Sequence, residues 1–396
     1  MISLSRYAAV LAQSDLRAAV LASVLGRLPL GLTGLAILLL TQEASGSFAV
    51  GGTVAACYTA GLGAVAPALG RLIDRVGPRP ALLGCALVFP TALAVLVGTL
   101  SRSASLSAAY LCAAAAGASF PPITVCMRTL LRQRLQDDRL LAAAYSLESV
   151  VIETIFIAGP LLVALFVALA SPAAAVLFAA ACGCAGPLLF LRSRAIAAWR
   201  TEPKRAHSLF GPLADPGFAP LLVVVVCYAG AFGLVEIATT AYATEHGVAA
   251  LAGVLLGIMS VGSAAGGLIY GSRSWGLPLR RQFPLTLALM GVGVAPLALP
   301  APFAPFALWC LPAGIVMAPA LIMQSMLVAK SARAEHSAEA FTWSATSLLA
   351  GISLGLSGGG VLLAYARSPA AFAVAAALAL LAAGLAAALL RPAAAP

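Results

Sequence analysis

The chain has 396 residues, of which 62% are hydrophobic and 9% charged, against roughly 45–50% and about 25% in soluble domains. No water-soluble fold could bury that much apolar surface, so lipid is the expected solvent for most side chains. The net charge of +10 does not imply a nucleic-acid partner, because the basic residues sit in short segments between apolar runs and read as a topology signal.

Met1 to Arg17 lacks a short apolar core followed by a small-residue cleavage site, so no removable signal peptide is expected and the first apolar run is a retained span. Charged and Pro/Gly-rich punctuation then divides the chain into twelve predicted transmembrane helices, each long enough for a hydrocarbon core ~30 Å thick. The first six cover 17–41, 47–70, 80–100, 105–127, 140–168 and 172–191. A polar stretch from Arg192 to Pro216 follows, with five basic residues, Pro203, Pro212 and Asp215. The second six cover 219–244, 249–271, 283–300, 303–328, 338–364 and 370–390. The expected organisation is an all-α membrane protein with an N-terminal half (1–191), a cytoplasmic linker (192–218) and a C-terminal half (219–396).

Charge segregates as an even span count requires. The N-terminal segment, the loops after even-numbered spans, the linker and the C-terminus hold 20 of the 23 basic residues, and the opposite side holds only Arg102 and Arg367. This places both termini in the cytoplasm. Arg outnumbers Lys 21 to 2 and Ala is abundant, which points to a GC-rich, bacterial genome. An internal echo supports the two halves: Gly70-Arg71-Leu72-Ile73 after the second span corresponds to Gly266-Gly267-Leu268-Ile269 near the end of the eighth, at an offset of 196 residues.

The eight Cys stand singly in apolar runs except Cys182 and Cys184, which have no His or further Cys nearby and receive no metal or disulfide assignment. His207, His246 and His336 lie singly in or beside loops. The chain shows no P-loop, paired metal ligands or nucleophile elbow, which argues against an ATP-driven pump or an enzyme and leaves a membrane sensor or enzyme as a remote alternative. No cofactor or metal is expected.

Between the second and third spans stands Gly70-Arg71-Leu72-Ile73-Asp74-Arg75-Val76-Gly77-Pro78-Arg79-Pro80-Ala81-Leu82. It resembles the G-x-L-a-D-r-x-G-r-k-x-x-l signature of the major facilitator superfamily, in the loop where that family carries it. Gly70, Leu72, Asp74, Arg75, Gly77, Arg79 and Leu82 match, while Pro78 and Ile73 depart from it. The glycines permit close helix approach and a tight turn, and Asp74 and Arg75 can pair with helix dipoles or opposite charges across a closed cytoplasmic face. The resemblance implies a gating role for them. It also implies two pseudo-symmetric six-helix bundles, a cavity lined by the first, fourth, seventh and tenth helices, alternating access and a monomer in the cell membrane.

Charges inside spans cost ~2.5–3.5 kcal/mol each at a helix centre, so Arg27, Glu148, Glu153, Glu236 and Glu339 require partners or a wet cavity. Depth along the first and fifth spans, which the resemblance implies are neighbours in the N-terminal bundle, gives an expected Arg27–Glu153 pair with Glu148 as the competitor, either static or engaged with substrate or proton. Glu236 in the seventh span has no basic residue predicted at its depth, which makes it the better proton site: it could cycle between protonated and ionised forms as water access alternates. Glu339 reads as interfacial.

The cavity face is expected to present Thr33, Tyr110, Phe120, Thr124, Tyr228, Phe232, Thr240, Trp309, Met317 and Gln324, a surface suited to a moderately hydrophobic organic solute. Gly262-x-x-x-Gly266, Gly351-x-x-x-Gly355 and Gly358-Gly359-Gly360 fit sliding contacts between the halves. Gly159-Pro160 resembles part of an antiporter element, although the preceding glycines are absent, as is the arginine that drug/proton antiporters carry from the Leu111–Phe120 stretch. The leading expectation is a drug- or metabolite-type exporter coupled to a proton gradient, with uptake or uniport as the alternative.

Overall fold

The computed structural model describes residues 4–12, 14–102, 105–197, 199, 211–215, 217–247 and 251–390. Those residues form helices and no strands. A short helix α1 (Leu4–Ala12) precedes the N-terminal six spans: α2 (Ser14–Ser45), α3 (Phe48–Val76), α4 (Pro78–Ser101), α5 with α6 (Leu106–Ala118, Ile123–Arg134), α7 (Asp138–Leu169) and α8 (Pro172–Leu191). After the short α9 (Arg194–Ala197) and a 3-10 turn (Gly211–Ala214) come α10 (Phe218–Glu245), α11 (Ala252–Ser272), α12 (Leu279–Val294), α13 with α14 (Phe303–Gly314, Met317–Ser331), α15 (Ser337–Leu363) and α16 (Ser368–Leu389). Eleven of these spans are long and apolar enough to cross a bilayer by length and composition. The twelfth, α12, reaches full length only with the 3-10 turn Ala295–Ala298 that continues it.

The fourth span of each half is broken, and proline chemistry explains both breaks. Pro121 and Pro122 have no N–H to continue the ladder, so the helix stops at Ala118 and restarts at Ile123. In the tenth span the Pro319 ring clashes with a carbonyl four residues earlier, at Ile315, and the helix resets between Gly314 and Met317.

Glycine packing repeats with the same symmetry. A Cβ on Gly117 would lie 1.8 Å from the Tyr58 carbonyl oxygen in α3, and one on Gly266 would lie 1.7 Å from that of Ile315 beside α13. The second and fourth spans of each half therefore touch backbone to backbone. This corrects the expected use of the glycine patterns: Gly262 and Gly266 pack on the tenth span, and Gly351 and Gly355 on α10, all within the C-terminal half.

Three apolar cores set the shape. One, built from Leu32, Tyr58, Phe89, Ala113 and Val176 among others, lies wholly in the N-terminal half. Another, around Tyr242, Leu255, Phe306 and Phe372, lies wholly in the C-terminal half. The largest joins both, from Leu16, Ile73, Leu130 and Tyr145 to Phe218, Tyr228, Met326 and Phe341. The shared core sits toward the end of the bundle where the arginine-rich loops lie, hereafter the basic end. Towards the opposite end each half keeps its own core.

Candidate functional site

Two seams close the basic end. In the first, α3 meets α15. The Asp74 carboxylate accepts from the backbone N–H groups of Ala338 (2.8 Å) and Glu339 (2.7 Å), so a residue of one half caps the first turn of a helix in the other. Arg71 Nε and Nη2 donate to Glu339 Oε1 at 3.1 and 2.7 Å. Gly70 is required here, because a Cβ would sit 2.8 Å from the Ala338 carbonyl oxygen. The linker closes over the same carboxylate: Gly211, at φ +51°, brings its Cα where a Cβ would meet Glu339 oxygens at 2.7 Å. Asp215 accepts from the Arg333 backbone N–H and pairs with its guanidinium, both at 3.1 Å. Glu339 is thus not interfacial, as the sequence suggested, but 1% exposed and paired.

The pseudo-equivalent seam joins α7 to α11. Ser146 donates to the Gly267 carbonyl and the Tyr7 hydroxyl to that of Leu268, both at 2.7 Å. The backbone stretch that echoes Gly70-Arg71 thus occupies the corresponding place with neutral chemistry. Nearby, Arg132 donates to the Ala332 carbonyl at 2.7 Å and Lys330 pairs with Asp138. Each seam also has a tie nearer mid-span: Thr346 to the Gly63 carbonyl at 3.4 Å, and Ser263 to Glu153 at 2.8 Å.

Between the seams lies a sealed charged layer. Arg27 Nη2 donates to Glu148 Oε2 at 2.6 Å, with both residues almost fully buried. This overturns the expected Arg27–Glu153 pair. Glu148 and Glu153 are five residues apart, which on a helix of 3.6 residues per turn separates them by about 140°. Only one can face α2, and Glu153 turns instead to α11 in the other half. Arg128 on α6 lies close to the Arg27–Glu148 pair and to Tyr145 and Tyr228, and the Tyr145 hydroxyl donates to the Arg128 carbonyl at 3.3 Å. Among the described residues, Arg27 Nε and Nη1 and Arg128 Nε have no hydrogen-bond partner. Each such buried donor costs about 1–3 kcal/mol. Across the interface Tyr228 donates to Gln324 Oε1, and Gln324 Nε2 donates to Ser344 at 2.6 Å.

Beyond this layer the seventh span carries an unpacked polar face. Glu236, Thr240 and Thr244 recur at four-residue spacing on α10 and are exposed, whereas the α10 residues that face α15 and α16 are buried. The Glu236 side chain has no hydrogen bond or ion pair among the described residues. A recess of about 340 Å³ lies along this face, lined by Ile237, Thr240, Ala241, Thr244, Glu245 and Leu363.

The other expected lining residues divide. Tyr228 and Gln324 belong to the sealed layer, and Phe232 packs edge-on to Tyr228 at 5.3 Å. Thr33 is fully buried, Thr124 is half-buried on α6, and Tyr110 and Phe120 pack on the N-terminal core, with Phe120 at 5.7 Å from Phe89. Met317 packs against the C-terminal core. Trp309 is placed differently: its indole donates to the Gly293 carbonyl in α12 at 2.9 Å, which ties it to the ninth span instead of a central cavity. In the signature, Arg75 and Arg79 are exposed and Gly77, at φ +84°, makes the turn into α4. Arg71 makes the ion pair instead.

The sequence reading missed Arg128, which it assigned to a loop by ending the fourth span at 127. The signal was Pro121-Pro122: a helix restarting there runs to Arg134 and carries Arg128 inward. The fourth span therefore does hold an arginine, half-buried with its Nε fully covered, nearer the basic end than the Leu111–Phe120 stretch.

The Major Facilitator Superfamily profile matches residues 19–347. No curated protein sequence matches the chain. Among solved structures, the human organic anion transporter is similar at 18% identity, covering 93% of this chain and 99% of that one, with a TM-score of 0.73. A bacterial homologue of the iron transporter ferroportin, in an outward-facing state, is similar at 17% identity over 94% and 97%, with a TM-score of 0.74. The E. coli fucose:proton symporter is similar at 13% identity over 93% and 97%, with a TM-score of 0.73. At these identities the likeness establishes the fold.

Proposed function

The chain belongs to the Major Facilitator Superfamily, and from that premise we propose that it is a proton-coupled exporter of small, moderately hydrophobic organic solutes, working by alternating access as a monomer in a bacterial cell membrane. The 20-to-2 distribution of basic residues supports a cytoplasmic basic end and cytoplasmic termini. On that orientation the seams close the cytoplasmic side and the structure faces outward.

The observation that carries the reading is the Glu236–Thr240–Thr244 face. A carboxylate without a partner among the described residues is unsuited to lipid and suited to a water-filled cavity, and it stands in line with two threonines whose hydroxyls donate back to their own helix. Glu236 lies 18 residues beyond the start of α10, about 27 Å along the helix, past the sealed layer and on the side that this conformation leaves apart. It would load a proton from outside. Parting of the seams would then carry that proton inward while solute moves out.

Reconstituted vesicles test this. Glu236→Gln should abolish solute flux driven by a proton gradient while leaving solute-for-solute counterflow intact. Undiminished gradient-driven flux in the variant would remove Glu236 from the mechanism, and wild-type accumulation of solute in symport with protons would favour the uptake alternative.

A further inference from the structure

We infer that Arg27 and Arg128 form the receptor for an anionic group, a carboxylate or sulfonate, on an aromatic solute. This rests on the transporter reading above and narrows its solute class. Two guanidinium groups and one carboxylate come together on α2, α6 and α7, with Arg27 bonded to Glu148 and Arg128 close by. Among the described residues Glu148 accepts from Arg27 Nη2, and Arg27 Nε, Arg27 Nη1 and Arg128 Nε have no partner although Arg27 is only 1% exposed. A surplus positive charge with orphaned donors in low dielectric is matched by a second anion, because charge-assisted hydrogen bonds to arginine are strongest where water is excluded.

The surroundings specify the rest of the ligand. Tyr228, close to Arg128, packs edge-on against Phe232 at 5.3 Å and Phe283 at 6.0 Å, and Tyr145 packs on Phe341 at 6.2 Å. A planar ring seated on these faces would bring its acidic substituent to the arginines. The layer is shut in this conformation and lies at the floor of the closed end, so the solute enters when the seams part. As they reclose, Glu148 returns to Arg27 and competes with the solute anion, which favours release on the far side.

Benzoate and its neutral counterpart benzamide serve as probes on the purified full-length protein in detergent, with thermal unfolding as the readout, since a ligand of the folded state raises Tm. Benzoate should raise Tm and benzamide should not. Arg128→Gln should abolish the difference, while Arg102→Gln, at the opposite end, should retain it. Equal shifts with both probes, no shift with either, or a benzoate preference that survives Arg128→Gln would overturn the inference. Should Arg128→Gln not fold, Arg128→Lys, which keeps the charge and loses the planar fork, should weaken benzoate binding at least about tenfold by titration calorimetry, and undiminished affinity would equally overturn it. If benzoate does not bind while Glu236-dependent flux persists, only the anion assignment falls. If benzoate binds without any coupled flux, the export reading falls and the site stands.

Discussion

The α3–α15 and α7–α11 seams occupy equivalent places in the two halves yet hold by different chemistry. The first is ionic: Asp74 caps α15 and Arg71 pairs with a buried Glu339. At the basic end the second is neutral, with two hydroxyls donating to the backbone carbonyls of Gly267 and Leu268, and only nearer mid-span does a carboxylate, Glu153, accept from Ser263. Charge-assisted hydrogen bonds are worth roughly 1.5–3 kcal/mol and neutral ones about 1 kcal/mol, so the first seam should dominate the closed state. Symmetry fixes where the halves meet, and side-chain charge decides how firmly.

Substitutions at the seams can break or sharpen that contrast. Asp74→Ala has the largest expected effect, because it removes two charge-assisted bonds and the helix cap together. Hydrogen exchange of the segment 334–342 should accelerate by more than tenfold, about 1.4 kcal/mol at the least. Unchanged protection there would remove the ionic seam from the closed state. Arg71→Ala should come next, since it leaves the Glu339 carboxylate buried without its cation. Arg71 is itself 39% exposed, so water offsets part of the loss and an effect near ~1–2 kcal/mol is expected. Glu339→Gln alone should cost less, and the double variant less than the sum, as a shared interaction requires. Ser146→Ala should be the smallest, at ~1 kcal/mol or below, with faster exchange confined to the end of α11. An effect of Ser146→Ala equal to that of Asp74→Ala would erase the distinction.

Much of this organisation was legible in the sequence. Apolar run length and the alternation of basic loops predicted the helical spans, because hydrocarbon thickness and charge placement act on local composition. The signature at Gly70–Leu82 marked the α3–α15 seam, although it drew attention to Arg75, which is exposed, and away from Arg71, which makes the pair. Arg27 was expected to need a partner inside the first span, and it is enclosed within α2's packing against a carboxylate. Its partner was misassigned because depth carries no information on the direction a side chain faces around its helix.

Sequence by itself determined that this chain lives in lipid as two related sets of helices and where its costly charges fall. Both follow from the free energy of moving each residue between water and hydrocarbon, which is a property of local segments. Only the tertiary structure decided that Glu148 takes Arg27, that Glu153 turns to Ser263, that the Arg128 Nε is enclosed and that Asp74 caps a helix 264 residues away. Those pairings depend on helix rotation and on which backbones the glycines allow to touch, and both are set by packing between segments far apart in the chain.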